Sequence, residues 1–362
     1  MPKLYNLWSY TLQELRELML ENNLPGFRSQ QIFSWLYQKN CRHFDQMSNL
    51  GQATIAWLKN NATLQLPKIT TALPSNDGTI KFLMTLSCGN VIESVYIPAD
   101  NRGTLCISSQ AGCALKCTFC LTGQQGFSRN MTTDEIIGQF ILVSDYLREH
   151  DIDQAITNVV FMGMGEPLLN EDNVYRVCDI LLDDKAAGLS KYKVTVSTSG
   201  IIPAIERMKL HTDVAFTLSL HAPNNPLRNE LVPINKKYPL EQLMPVVGRY
   251  FAEQPRRKVN IAYIMLNQVN DQPHHAKELV ALLASIRCKV NLIPFNLIPN
   301  VPYKTSSDET ILRFQKLLSQ QNIQTNIRWS RGDDVGAACG QLDGHVMRRS
   351  KHSKHQESNA DS

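Results

Sequence analysis

Three of the nine cysteines lie within eight consecutive positions of the chain. Cys113, Cys117 and Cys120 stand in the segment GCALKCTFCLTG with the spacing C-x3-C-x2-C. Thiolates bind zinc or iron–sulfur clusters, but structural zinc takes four protein ligands, commonly as two separated pairs. No fourth Cys or His stands nearby at a matching spacing. A four-iron cluster held by three cysteines would leave one iron open for a small ligand.

The elements that must position these cysteines alternate between strand and helix. From Thr104 onward, short strand-like runs alternate with helical ones, which is typical of a parallel α/β sheet. About six such units predict a full or partial (β/α) barrel, whose active site lies at the carboxyl ends of the strands. The predicted strands are 104–108, 158–162, 193–197, 214–220, 258–265, 289–295 and 325–329, and capping boxes predict helix starts at Thr132–Glu135 and Ser306–Glu309.

Ahead of the barrel, the sequence predicts a small helical unit and a hairpin. The segment TLQE at 11–14 has capping-box spacing, and apolar residues follow it at helical intervals. The runs TIKFLMTLS and VIESVYIP flank a turn and predict two antiparallel strands. We therefore divide the chain into a helical unit (1–62), hairpin and linker (63–103), barrel with its carboxyl-terminal loop (104–345) and a polar tail expected to be disordered (346–362).

Composition limits the class of protein without naming its function. The chain has 362 residues, 43% of them hydrophobic, and a formal net charge of +4, which fits a nucleic-acid partner without requiring one. The first residues lack a charged start followed by an apolar run, so we expect no signal peptide. No apolar stretch is long enough to span a membrane. The odd number of cysteines predicts reduced thiols in the cytoplasm.

Other polar residues stand where the predicted strands end. GMGEP contains Glu166, which can accept hydrogen bonds from an ammonium group, although a Gly-rich turn of this kind also serves simple geometry. In TLSLHA, alternation groups Thr217, Ser219 and His221 on one face, although a lone His is more often structural. VSTSG ends the third strand, and PFNLIP gives Asn296 at the end of the sixth. Together they predict a polar ring around one mouth of the barrel.

The cysteine spacing after the first barrel strand resembles the radical S-adenosylmethionine superfamily, in which the open iron binds S-adenosylmethionine and electron transfer cleaves it to a deoxyadenosyl radical. The blocks TLCISSQAGCALKCTFCLTGQQGFSRNMTTDEIIGQ, GMGEPLLN, VSTSG, SLHAP and RGDDVGAACGQL further resemble the RlmN family of ribosomal-RNA adenine methyltransferases, in the same order, from about residue 80 to 345. Leu121 departs from that pattern, which has a small residue beside the last cysteine of the cluster.

This resemblance implies one [4Fe-4S] cluster on Cys113, Cys117 and Cys120, and two molecules of S-adenosylmethionine per turnover. The implied contacts to S-adenosylmethionine are Gly165, Glu166, Ser197, Ser219, Leu220, His221 and Asn296. The implied substrates are 23S rRNA and some transfer RNAs, at the adenosine 3′ of the anticodon. A reducing donor such as flavodoxin or ferredoxin, a monomeric protein and a role of the helical unit in gripping RNA are also implied.

The resemblance also implies roles for two further cysteines and one carboxylate. Cys339 takes a methyl group from one S-adenosylmethionine, and the radical from a second removes a hydrogen from that methyl. The carbon radical attacks carbon 2 of adenine and gives a thioether that joins RNA and protein. Glu93 then accepts the carbon-2 proton, and attack by Cys106 on Cys339 releases the product and leaves a disulfide. On sequence alone, Glu93 would be a solvated strand carboxylate, and Cys106 a small core residue.

Two other functions remain open at this stage. A Cfr-like carbon-8 adenine methyltransferase would use the same cluster and the same pair of cysteines. A metal-stabilised RNA-binding protein without catalysis would need neither Cys106 nor Cys339, so the presence of both argues against it.

Overall fold

The computed structural model describes residues 4–345, and the predicted polar tail at 346–362 lies outside them. The amino-terminal part is the helical unit that the sequence predicts. Its capping box is present: the Glu14 carboxylate accepts a hydrogen bond from the Thr11 N–H at 2.9 Å, and Thr11 Oγ1 accepts one from the Glu14 N–H at 3.2 Å. The helices of this unit are α1 (Leu12–Glu21), α2 (Arg28–Tyr37) and α3 (Gln52–Asn61).

Fourteen strands are present in the described residues, and ten of them form one sheet. The strands are β1 (Tyr5–Asn6), β2 (Ala62–Thr63), β3 (Lys68–Pro74), β4 (Ile80–Thr85), β5 (Val91–Ala99), β6 (Arg102–Cys106), β7 (Gln110–Gly112), β8 (Phe127–Asn130), β9 (Ile156–Phe161), β10 (Val194–Thr198), β11 (Ala215–Ser219), β12 (Val259–Met265), β13 (Cys288–Pro294) and β14 (Gln324–Ile327). The large sheet has the order β14-β13-β12-β11-β10-β9-β6-β5-β4-β3.

The sheet confirms the predicted α/β fold with a partial barrel. Strands β6 and β9 to β14 pair in parallel, which makes seven parallel strands where about six units were expected. Strands β3 to β6 pair antiparallel and include the predicted hairpin, formed by β4 and β5. Strands β3 and β14 are the two edges of the sheet, so the barrel is open along one side.

Helices follow the parallel strands and cover the outer face of the sheet. They are α4 (Leu121–Gln125), α5 (Thr133–Glu149), α6 (Glu171–Leu182), α7 (Ile202–His211), α8 (Asn225–Leu231), α9 (Leu240–Arg249), α10 (Pro273–Leu283) and α11 (Asp308–Ser319). The predicted start of α5 is confirmed, because the Glu135 carboxylate accepts the Thr132 N–H at 3.0 Å. The predicted start of α11 is wrong by one residue: Ser307 is the cap, and the Ser306 hydroxyl instead donates to Asp271 at 2.7 Å.

Burial alternates along the strands and separates a core face from a barrel face. In β13, Val290 and Leu292 are buried under the helices, whereas Lys289 and Asn291 are only half-buried. The carboxyl ends of all the parallel strands lie at the same end of the barrel, here called its mouth, so the loops that follow these strands lie together. Within residues 4–345, no helix has the length and apolarity needed to cross a membrane.

The helical unit is fastened to the outside of the barrel. Strands β1 and β2, which the sequence did not predict, pair in parallel and join the two ends of the unit. Ser9 Oγ donates to Asp134 of α5 at 2.7 Å, and Arg42 forms an ion pair with Asp145 of the same helix. Arg176 of α6 lies 2.6 Å from Glu14 of α1.

Candidate active site

The three clustered cysteines lie in the loop that follows β6. Gly112 has a φ of 77°, and a β-carbon there would lie 2.0 Å from the carbonyl oxygen of Gly126, so only glycine lets the two ends of the loop approach. The Cys113 N–H donates to that same oxygen at 2.9 Å. The short strands β7 and β8, which the sequence did not predict, pair at the base of this loop.

The cysteine loop is also tied to two later segments of the chain. The Thr118 N–H donates to the carbonyl of Leu231 at 3.2 Å, which attaches the loop to α8. The Leu121 N–H donates to the carbonyl of Gly340 at 2.9 Å, next to Cys339. The Leu121 side chain packs, half-buried, in the apolar cluster around Phe119. The unusual residue at 121 therefore fills an apolar space beside the last cysteine of the loop.

The three clustered thiols are free and form no disulfide. Burial raises the pKa of Cys113 to about 12. Burial is also the main cause of the raised pKa of Cys117, and negative charge on the neighbouring thiols raises it further. Burial also raises the pKa of Cys120, although N–H groups from Gly123 and Thr122 point to its sulfur and oppose the shift. These thiols are therefore neutral in the free protein, and a cation among them would favour their ionised forms.

This set of donors fits a multi-iron cluster better than a single ion. Within residues 4–345, no three His, Cys, Asp or Glu side chains come close enough together to hold one metal ion. A cluster of several irons is wider than one ion and binds thiols that stand further apart. Three thiols on one loop, with N–H donors to the sulfurs of Cys113 and Cys120, are the ligand chemistry that iron–sulfur clusters use.

Glu166 bridges the loops that follow β9 and β10. Gly165 has a φ of 97°, and a β-carbon there would lie 2.5 Å from Gln110, so this glycine serves a close approach within the protein. The buried Glu166 carboxylate accepts the Ser199 N–H at 2.8 Å and the Leu168 N–H at 3.2 Å. Burial raises the pKa of Glu166, and these hydrogen bonds oppose the shift. The side chains of Thr198 and Ser199 also donate to this carboxylate, so the protein itself uses most of its acceptor sites.

The polar residues at the ends of β10 and β11 come together as predicted. The hydroxyl oxygens of Ser197 and Ser219 lie 3.2 Å apart. His221 has a left-handed φ of 62°, and its Nδ1 accepts the Ile264 N–H at 3.1 Å. Burial and the nearby Arg228 lower the pKa of His221 to about 3, so the ring is neutral. One nitrogen of His221 therefore supports the loop, as a structural histidine does.

Sequence reasoning missed Arg228 of α8, which is fully buried. Its Nε donates to the carbonyl of Leu220 at 3.0 Å, and its Nη2 donates to the carbonyls of Ser199 at 2.6 Å and Ser219 at 3.2 Å. Its Nη1 donates to Asn235 at 2.7 Å. Burial lowers the pKa of Arg228 to about 10, so the group stays charged at neutral pH. One side chain thus binds the backbone of two loops at the mouth.

Cys339 lies on the segment that follows β14. Asn296 Nδ2 donates to the carbonyl of Cys339 at 3.0 Å, and Asn296 Oδ1 accepts a hydrogen bond from the Ser330 hydroxyl. Beyond Cys339, Thr122 of the cysteine loop donates to the carbonyl of Leu342 at 2.6 Å. Asn296, a predicted cofactor contact, therefore holds the backbone of Cys339 in place.

Cys106 and Cys339 both lie at the mouth of the barrel. Cys106 is buried at the carboxyl end of β6, and Cys339 is exposed beside Gly340, whose carbonyl is bonded to the cysteine loop. Burial raises the pKa of Cys106, and a negative charge on Cys339 would raise it further. Although the Cys339 residue is exposed, its sulfur has protein atoms around it, which raises the pKa of the thiol, and the cation of Arg328 opposes that shift.

The interpretation of Glu93 as a solvated carboxylate is wrong, because only 3% of the residue is exposed. One oxygen lies 3.5 Å from Lys81 Nζ, and the other accepts the Asp343 N–H at 3.2 Å. Lys81 Nζ also donates to the carbonyl of Gly336 at 3.3 Å. The pair of buried charges on β4 and β5 therefore holds the segment of Cys339 on both sides of the cysteine. No local pattern in the sequence indicates this role for Lys81.

Comparison with known proteins agrees with this geometry. Residues 107–280 match the radical SAM superfamily, and residues 5–64 match the ribosomal RNA large subunit methyltransferase N-terminal domain. The crystal structure of a radical SAM methyltransferase from Sphaerobacter thermophilus superposes with a TM-score of 0.87 and 38% identity, over 93% of this chain and 99% of that one. The fold and the cysteine loop therefore define a radical SAM enzyme.

A curated relative narrows the class further. The dual-specificity RNA methyltransferase RlmN of Alkalilimnicola ehrlichii is 47% identical over 346 residues, which are 96% of each chain. The chain belongs to the RlmN family, which confirms the resemblance found in the sequence.

Proposed function

We propose that this protein methylates carbon 2 of an adenosine in 23S rRNA and of the adenosine 3′ of the anticodon in some transfer RNAs. The observation that supports the proposal most is that Cys106 and Cys339 both lie at the barrel mouth with the three-cysteine loop, to which the Gly340 carbonyl beside Cys339 is bonded. Binding of RNA alone would need neither thiol. Family membership and the name of the curated relative support RNA as the substrate.

The reaction explains why two extra thiols would be needed. Carbon 2 of adenine is electron-poor, so ordinary electrophilic methyl transfer does not work there. A thiol that carries the methyl group allows the carbon to attack as a nucleophilic radical, and a second thiol is then needed to release it.

Different residues at the mouth would bind the cluster and S-adenosylmethionine. Cys113, Cys117 and Cys120 would hold a [4Fe-4S] cluster, which when bound supplies the single electron for radical chemistry on S-adenosylmethionine. Glu166, which joins the loops after β9 and β10, is the proposed contact for the ammonium group of S-adenosylmethionine. The other proposed contacts are Gly165, Ser197, Ser219, Leu220, His221 and Asn296.

Two cysteines and one carboxylate would act on the methyl group and the RNA. The Cys339 thiol would lose its proton and take a methyl group from the sulfur of one S-adenosylmethionine, which leaves as S-adenosylhomocysteine. Once a hydrogen atom has been removed from the S-methyl group, the carbon radical would add to carbon 2, and the adduct would give up one electron while Glu93 accepts the carbon-2 proton. Cys106 would then lose its proton and attack the sulfur of Cys339. The sulfur–carbon bond would break, the released carbon would take up a proton to become the methyl group, and the resulting disulfide would be reduced by an external thiol before the next turnover. We expect a flavodoxin or ferredoxin as electron donor, two S-adenosylmethionines per turnover and a monomeric enzyme.

Anaerobic reconstitution followed by nucleoside analysis tests this function. The protein and its Cys113/Cys117/Cys120→Ala variant are treated with iron and sulfide, and only the unmodified protein is expected to gain the visible absorption of an iron–sulfur cluster. It is then supplied with S-adenosylmethionine, a reductant and either 23S rRNA or transfer RNA. We expect 2-methyladenosine in the digested RNA. Finding 8-methyladenosine would assign the Cfr-like reaction, and a colourless zinc protein that binds RNA without product would overturn the chemistry.

Replacing Glu93 by glutamine is expected to slow methylation by roughly 100- to 10,000-fold, the usual contribution of a general base. Glutamine still offers an oxygen to the Asp343 N–H but does not take up a proton. The measurement is the single-turnover rate of 2-methyladenosine formation. The matched control is Lys81→Met, which keeps the carboxylate but removes the ion pair that it shares with Glu93. Equal losses in both variants would mean that Glu93 only anchors the segment of Cys339.

A further inference from the structure

Helix α8 connects three loops of the candidate active site. Its last residue, Leu231, accepts the hydrogen bond from Thr118 of the cysteine loop at 3.2 Å. From the middle of the helix, Arg228 donates to carbonyl oxygens at the ends of β10 and β11. Leu227 packs in the same apolar cluster as Cys117 and Cys120. One short helix thus contacts the cysteine loop and the loops proposed to bind S-adenosylmethionine.

The charge of Arg228 has no direct carboxylate partner. The groups that bond its guanidinium are neutral oxygens, and no Asp or Glu of the described residues forms an ion pair with it. The nearest link to a negative charge runs through one residue: the Ser199 carbonyl accepts from Arg228 at 2.6 Å, and the Ser199 N–H donates to Glu166 at 2.8 Å. Ser199 therefore lies between two buried and opposite charges.

Burying a cation without a paired anion lowers the stability of a folded protein, unless a bound group brings negative charge to the same place. A cluster bound by the cysteine loop would bring that negative charge, because the Thr118 N–H of the loop is bonded to Leu231 on the same short helix as Arg228. The proposed cluster would thus bring negative charge to a site where the positive charge of Arg228 is already present.

We propose that Arg228 is a positioning residue that fixes the loops after β10 and β11 against the cysteine loop, and that its charge offsets the ionised thiolates of that loop. This inference rests on the proposed function, because it assigns the thiolates to a cluster. The hydrogen bonds of the Arg228 guanidinium within residues 4–345 all go to protein oxygens. Arg228 acts through Ser199, Ser219 and Leu220, whose backbone it holds.

A second buried arginine provides a matched control. Arg257 donates to the carbonyls of Asp213 and Val214, both at 2.8 Å, and forms an ion pair with the Asp213 carboxylate. It precedes β12 and binds the segment that leads into β11, so it lies at the opposite, amino-terminal end of the strands. Arg257→Gln therefore removes a buried, carbonyl-binding arginine without touching the site.

The experiment compares Arg228→Gln, Arg228→Lys and Arg257→Gln with the unmodified protein. In the cluster-free proteins, amide hydrogen exchange is expected to speed up at 117–121 and 196–200 in Arg228→Gln and not in Arg257→Gln. In the reconstituted proteins, Arg228→Gln is expected to bind S-adenosylmethionine about tenfold more weakly or worse. Its cluster is expected to have a more negative reduction potential, since a buried cation that favours the extra electron is lost.

Arg228→Lys separates the two parts of the proposal and serves if the glutamine variant does not fold. Lysine keeps the charge but not the planar group that reaches three carbonyls. We expect a potential close to that of the unmodified protein and a weaker affinity for S-adenosylmethionine.

Two results would overturn the proposal in distinguishable ways. If the unmodified protein holds a cluster and Arg228→Gln matches it in affinity, potential and local exchange, Arg228 has no positioning role and the proposed function stands. If the unmodified protein takes up no cluster, the proposed function fails, and the offset of thiolate charge fails with it.

Discussion

Replacing Cys339 by alanine is expected to abolish RNA methylation, with a loss of at least about 1,000-fold, as for the removal of other covalent nucleophiles. The methyl group would have no carrier, while the cysteine loop and the pocket around Glu166 would keep their contacts. Iron content and reductive cleavage of S-adenosylmethionine are therefore expected to stay close to those of the unmodified protein. The measurements are iron analysis, the yield of 5′-deoxyadenosine and mass spectrometry of the digested RNA.

The control for this experiment is Cys88→Ala. Cys88 is exposed in the turn between β4 and β5, where it accepts hydrogen bonds from Arg129 and Asn90 and has no part in the proposed reaction. We expect this variant to methylate RNA normally. Retained methylation in Cys339→Ala would show that the methyl group does not pass through Cys339.

Replacing Cys106 by alanine is expected to stop the reaction one step later, with the RNA still bonded to the protein. The thioether between Cys339 and the adenine needs a neighbouring thiol to displace it, and we propose Cys106, which lies at the same mouth of the barrel, as that thiol. A denaturing gel should show a band of RNA and protein together. After nuclease digestion, the peptide that contains Cys339 should carry the mass of a nucleotide.

Two further variants make this result specific. Cys178→Ala removes a buried cysteine from the core of α6 and is expected to give no adduct. Cys106→Ala with Cys339→Ala should lose the adduct again, since no carrier remains. Free, fully methylated RNA from Cys106→Ala alone would remove Cys106 from the proposed reaction.

The sequence predicted the parts of this fold that have a strong local pattern. The capping boxes at Thr11 and Thr132 and the buried, alternating strands of the barrel gave the order of elements and the position of the cysteine loop. Strand β3 was missed because most of its residues are half-buried or exposed and it lies at an edge of the sheet, so KITTALP shows little alternation. The pairs β1–β2 and β7–β8 are too short to show a pattern at all.

The site was predicted where a motif or a resemblance marked it, and missed where only tertiary contact defines the role. Arg228 stands in a polar segment, NPLRNEL, and nothing local indicates that its side chain is buried under two loops. Lys81 and Glu93 occupy ordinary hairpin strands. Their burial depends on the segment around Asp343, which is about 250 residues away along the chain. Contacts over such separations are not visible in local periodicity.

The attachment of the amino-terminal helices to α5 and α6 has a consequence for the choice of substrate. The ion pairs and hydrogen bonds of Ser9, Arg42 and Glu14 hold this unit at a set distance from the barrel mouth. If the helices bind RNA while one adenosine enters the mouth, the fixed distance between the two sites selects the substrate by its shape. An RNA whose backbone and unstacked base match that distance would bind without distortion. Other adenosines would be excluded by geometry, independently of contacts to the base.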